Sequence, residues 1–105
     1  VPKYEGISMI IGDEEYIIPA LSLGQIKRFL KKIEQMQEGV NQGGVENFDT
    51  ISQIIHAALS RNYPALTIED LDEMLDMSNL MTIFNAVLGA SGFAQGELLA
   101  GNVSR

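Results

Sequence analysis

The stretch IIHAALSRNYPALTIEDLDEML, residues 54–75, limits what this chain can fold into more than any other part of it. Up to Leu59 the apolar residues Phe48, Ile51, Ile55 and Leu59 recur at helical spacing, with Ile54 and Ala58 widening the stripe. Pro64 then ends the helix, because the residue before a proline is pushed out of the helical region. Thr67 stands where an N-cap is needed. Glu69 and Asp70 follow in the first turn, where the helix dipole favours negative charge. Ile68, Leu71, Met74 and Leu75 supply the second apolar face. A helix, a break and a newly capped helix must therefore bury two stripes against something else.

The flanking segments say what that is. ISMII and YIIPA, strands at about 7–11 and 16–20, surround the polar turn GDEE and read as a β-hairpin. Pro19 ends the second strand or places it at an edge. Ser22 reads as the N-cap of a helix through residue 37 with Leu23, Ile26, Phe29, Leu30, Ile33 and Met36 on its buried stripe. Residues 38–47 are a glycine- and asparagine-rich loop, and the next helix runs from about Glu46 to Asn62. After the acidic helix, Ser78 either caps a fourth helix or lies inside one long one, which GASG at 89–92 stops. Residues 93–105 have weak periodicity and read as a flexible tail. The expectation is a mainly α (α+β) domain over 1–92: three or four packed helices with an N-terminal β-hairpin.

Composition excludes several functions. No apolar run approaches the ~20 residues a membrane helix needs. A net charge of −7 disfavours binding to nucleic acid, which rests on neutralising phosphates. There is no cysteine, so neither a disulfide framework nor a thiolate zinc site is available.

His56, the only histidine, is the first candidate for chemistry. Asp49 lies seven residues before it on the same helix, a rise of roughly 10.5 Å, too far to orient an imidazole. Ser60 is within reach, but nothing completes a triad. GASGF lacks the last glycine of a nucleophile elbow. His56 is therefore read as a boundary residue. The carboxylates Glu69, Asp70, Asp72, Glu73 and Asp76 suggest a cation site, yet an EF-hand loop starting at Asp70 has Met74 and Leu75 where an oxygen ligand and a glycine are required. They read as a solvated helix face, one that could meet the basic face of the first helix within the domain or between copies. The sequence thus proposes no catalytic, cofactor-binding or metal-ligating residue, and a non-enzymatic protein.

Protein binding fits better. Met74, Met77 and Met81 recur at helical spacing, followed by Phe84, and methionine stripes make adaptable contact surfaces. Leu80, Ile83 and Val87 point elsewhere, so a domain this small is expected to leave part of that helix uncovered, for a partner or for a homo-oligomer. The candidate partner-binding residues are Met74, Met77, Met81 and Phe84, with Lys27 and Lys31 on the basic helix.

The order of motifs resembles a known family. A hairpin ending in proline, LSLG at 21–24, IIHAALSRNYPALT at 54–67, an acidic helix and NLMTIFNAVLGASG at 79–92 together resemble the small tail assembly chaperones of long-tailed bacteriophages and prophages. The resemblance spans roughly residues 16–92. It implies a cytoplasmic protein of the bacterial host, made during virion assembly and scarce in the finished particle. It also implies that the protein coats the apolar, helical tape measure protein and brings tail tube subunits to it. Such chaperones often have a longer form made by ribosomal frameshifting. The rival readings are a permanent virion component, such as a tail completion or connector subunit, a metal-dependent enzyme using Asp72 and Asp76, and an adaptor for one amphipathic helix.

Overall fold

The computed structural model describes residues 3–37 and 44–93. It is an α+β fold of four helices and a two-stranded antiparallel hairpin: β1 (Gly6–Ile11), β2 (Glu14–Pro19), α1 (Leu23–Gln37), α2 (Gly44–Ser60), α3 (Ile68–Met74) and α4 (Leu80–Ala90). Most of the predicted 38–47 loop and residues 94–105 lie outside the described residues.

The hairpin turns on two residues, not four. Ile11 pairs with Glu14, leaving Gly12 and Asp13 as the loop, and Gly12 has φ +64°, a conformation that glycine adopts without strain. Met9, Ile11, Tyr16 and Ile18 share the face turned to α2 and α4, and Ile11 and Ile18 are buried there. At the open end Gly6 pairs with Pro19 so closely that a Cβ on Gly6 would stand 2.0 Å from the Ile18 carbonyl oxygen.

Local chemistry sets the helix ends. Ser22 Oγ accepts from Gln25 N at 3.1 Å while Gln25 Oε1 accepts from Ser22 N at 2.9 Å, a capping box at the predicted cap. Thr67 does the same for α3 with Asp70. Helix α2 ends at Ser60, two residues before the predicted limit, and Asn62 and Tyr63 N–H close the last turn on the Leu59 carbonyl. At the end of α4, Phe93 N donates to Leu88 O and Gly92 N to Gly89 O, with Gly92 at φ +98°. Those two bonds form a Schellman motif, so GASG stops the helix as expected. Phe93, read as the start of the tail, packs on the core.

The alternative of one long helix over 68–88 is corrected. Leu75 leaves the helical region at ψ 142°, and α4 starts anew at Leu80. Its N-cap position is Asn79, not Ser78, and has no side-chain cap bond; Asp76 ties the turn that precedes it. The Asp76 carboxylate accepts from Ser78 N, Ser78 Oγ and Asn79 N, and Asn79 Oδ1 accepts from Asp76 N at 2.8 Å.

The core joins Ile11 and Ile18 of the hairpin to Phe29 and Ile33 of α1, the Ile51–Leu59 face of α2, Leu71 of α3, and Leu80, Ile83, Phe84, Val87 and Leu88 of α4. One expectation about faces is corrected: Leu23 and Leu30, placed on the buried stripe of α1, are exposed. Helix α4 buries Leu80, Ile83, Phe84, Val87 and Leu88 and leaves Met81 exposed.

Asn62, in the link after α2, holds the hairpin to the helices. Its side chain is buried, accepts from Tyr4 N at 2.6 Å, and donates to Tyr4 O at 3.0 Å and Ile17 O at 3.1 Å. Next to it, Tyr63 Oη accepts from Ile17 N at 2.8 Å, and the Tyr63 ring meets Tyr16 edge-on at 5.0 Å between centroids. The outer edge of β2 is thus sealed by side chains from residues 62 and 63.

Candidate partner-binding groove

Part of the apolar surface that remains open lies around the α3–α4 link, apart from the exposed Ile7 and Ile10 of β1 and Leu23 and Leu30 of α1. Phe48 and Ser52 of α2, Asp72 of α3, Leu75, Asp76 and Met77 of the α3–α4 link, and Leu80 of α4 line a groove with a cavity volume of about 210 Å³. The floor is apolar. Met77 is 74% exposed and Phe48 42%, and Met81, one helical turn beyond Met77, is 48% exposed.

Each wall has a local cause. The α3–α4 break turns the chain outward at Leu75, and the Asp76 carboxylate fixes the following turn, which leaves Met77 at its apex with its side chain in solvent. Phe48, one turn before Ser52 on α2, is left 42% exposed among the described residues. Between them, Ser52 Oγ donates to Asp72 Oδ1 at 2.5 Å, which pins a carboxylate of the acidic helix to the otherwise apolar flank of α2.

Two carboxylates therefore border the groove. The pKa of Asp76 is lowered, first by the Ser78 hydroxyl and then by the Ser78 and Asn79 N–H groups that bond to it. It stays ionised while tying the turn. The groove offers an apolar floor with negative charge fixed at its rim, which suits an apolar segment carrying Lys or Arg.

The predicted site residues are divided by the fold. Met77 and Met81 are exposed at and beside the groove. Met74 is half-buried, its Sδ 3.6 Å from Tyr16 Oη, and helps join α3 to the hairpin. Phe84 is corrected: at 5% exposure it belongs to the core and presents no surface to a partner. Lys27 and Lys31 are exposed on α1 but do not line the groove. Among the described residues no ion pair joins α1 to α3; each packs on α2, so the two charged faces do not meet within the domain.

His56 is half-buried and its Nε2 lies 2.8 Å from Leu66 O, which ties α2 to the segment leading into α3. Its candidate partner Ser60 is engaged elsewhere, Oγ donating to Ala57 O. Ser91 of GASG accepts from Leu21 N at 2.8 Å and donates to Val87 O, fastening the end of α4 to the β2–α1 link. Among the described residues no three His, Asp or Glu side chains come close enough together to hold a metal ion. No helix among them is long and apolar enough to cross a membrane.

Sequence reasoning missed Phe48 as a surface residue and Ser52 as the anchor of Asp72. Neither had a local signal, because both depend on where α3 lies against α2. The chain matches no protein-family model, no curated protein and no solved structure.

Proposed function

We propose that this chain is a non-enzymatic tail assembly chaperone of a long-tailed bacteriophage or prophage, acting in the cytoplasm of the bacterial host. In this reading it shields the apolar, helical tape measure protein and helps recruit tail tube subunits. The observation that carries the proposal is the exposed groove of Phe48, Met77 and Leu80 bordered by Asp72 and Asp76. The motif resemblance over residues 16–92 supplies the identity of the partner.

The physical argument concerns what such a protein must do. A chaperone for a long apolar helix needs a surface that accepts many similar segments. Methionine suits this, because its unbranched thioether chain repacks around different shapes. An amphipathic helix in a groove is held by apolar anchors three and four residues apart. Rim carboxylates add only ~0–1 kcal/mol per exposed ion pair, so they set orientation more than affinity. The net charge of −7 keeps the loaded complex soluble.

The test is affinity capture of the tagged full chain from phage-producing cells, beside its Met77→Asp variant, with the chain also quantified in purified virions. The proposal expects a long, helix-rich tape measure protein to be captured by the wild type, to be lost with the variant, and the chain to be scarce in virions. A fixed copy number in virions, with no tape measure captured, would make the protein a structural tail subunit instead.

A further inference from the structure

The two outer edges of the hairpin differ. Ile17 N and O both point away from β1, since they bond to Tyr63 Oη and Asn62 Nδ2. Ile17 pairs with Ser8, so this is a non-hydrogen-bonded pair, and the N–H and C=O of Ser8 also point outward, from the opposite edge. By alternation the same holds for Ile10. Among the described residues nothing bonds to these outward groups of Ser8 and Ile10.

The strand that carries them has none of the usual protection. Its sequence GISMII contains no charge and no proline, and Ile10 is 66% exposed. Natural edge strands are normally blunted by Lys, Pro, a bulge or a covering element, because an open apolar edge is a template for another strand. Here one edge is closed by Asn62 and Tyr63 and the other is bare.

We propose that the bare edge of β1 pairs antiparallel with the same edge of a second copy of this chain, centred on Ser8, giving a four-stranded sheet across a two-fold axis. In that register Ser8 faces Ser8 of the second copy. On the outer face Ile10 lies across from Gly6 of the second copy, where no side chain competes for the space. On the inner face the exposed Ile7 lies across from Met9 of the second copy. The strand is thus complementary to itself in backbone bonding and in side-chain volume. An isologous dimer requires that self-complementarity, and an extended segment of unrelated sequence would match only the backbone. The edge is separate from the groove, so the dimer would present two grooves.

The experiment measures sedimentation of the full chain over a wide range of concentration, beside Ile10→Lys and two single-cysteine variants. The chain has no native cysteine, so each introduced thiol reports alone. A concentration-dependent dimer is expected, weakened about tenfold or more by Ile10→Lys because two charges enter the edge at once. Ser8→Cys should oxidise readily to a covalent dimer, since facing Cα atoms in such a pair lie ~5.5 Å apart, within disulfide range. Ile10→Cys should not, since its two copies would stand about 14 Å apart along the strands. A wild type that stays monomeric overturns the proposal. So does a dimer in which Ser8→Cys cross-links no faster than Ile10→Cys, a readout that stands even if Ile10→Lys disturbs folding.

Discussion

Replacing Asn62 with alanine tests how the hairpin is held to the helices. The Asn62 side chain makes three hydrogen bonds, one accepted from Tyr4 N and two donated to Tyr4 O and Ile17 O. An intramolecular hydrogen bond contributes a net ~0.5–1.5 kcal/mol, and stranded partners cost more when water cannot reach them. Tyr4 is half-buried and water can recover part of its loss, so Asn62→Ala should cost about 2–3 kcal/mol. Native domains have only ~5–15 kcal/mol in total. In urea that loss lowers the midpoint by roughly 1–2 M with an unchanged slope. Asn62→Asp sharpens the test: it keeps an acceptor for Tyr4 N but turns a carboxylate toward two carbonyl oxygens. It should be at least as damaging at neutral pH and recover in part on acidification, as the carboxyl gains a proton to donate. A loss below about 0.5 kcal/mol for Asn62→Ala, the range of ordinary surface changes, would refute the clamp.

Four further outcomes follow from particular contacts. Gly6→Ala must push the strands apart at the Ile18 carbonyl, and a loss of about 2–3 kcal/mol is expected from the thermal midpoint. Phe84→Ala should cost about 3–5 kcal/mol as a core truncation, while Met81→Ala stays within about 0.5 kcal/mol; equal effects in chemical denaturation would contradict their assignment to core and surface. Thr67→Ala removes the capping box of α3 and should cost about 1 kcal/mol, with amide exchange rising first in residues 68–71. Because the Asp76 pKa is lowered on folding, its contribution is present above the unfolded-state carboxylate pKa and is lost as pH falls through the folded value. Asp76→Asn should therefore flatten the acid side of the stability curve; a profile superimposable on the wild type would contradict this.

What could be read from the sequence was whatever a few neighbouring residues decide. Ser22 and Thr67 cap helices because their partners lie three residues on, and Gly92 ends α4 by a rule confined to one turn. The turn at Asp76 was legible in the same way, from its spacing to Asn79, but the serine between them drew the assignment. Faces were harder. Periodicity gives the direction of a stripe and not its width, so Leu23, Leu30 and Phe48 at the margins fell outside the core. In α4 the apolar residues run around most of the helix, and no stripe could tell Phe84, which is buried, from Met81, which is not. The Asn62 clamp joins residues 45 and 58 positions apart and had no signal in the sequence. The groove is likewise a product of packing, made between α2, α3, the α3–α4 link and α4.

The most direct measurement of the central claim is a titration of the isotope-labelled full chain with an apolar, Lys-containing helical segment of the tape measure protein, followed by backbone and methyl NMR. The account predicts saturable shifts centred on Phe48, Ser52, Leu75, Met77 and Leu80, abolished in the Met77→Asp variant while its fold persists. Shifts confined to the α1 face around Lys27 and Lys31, or none at all, would contradict it.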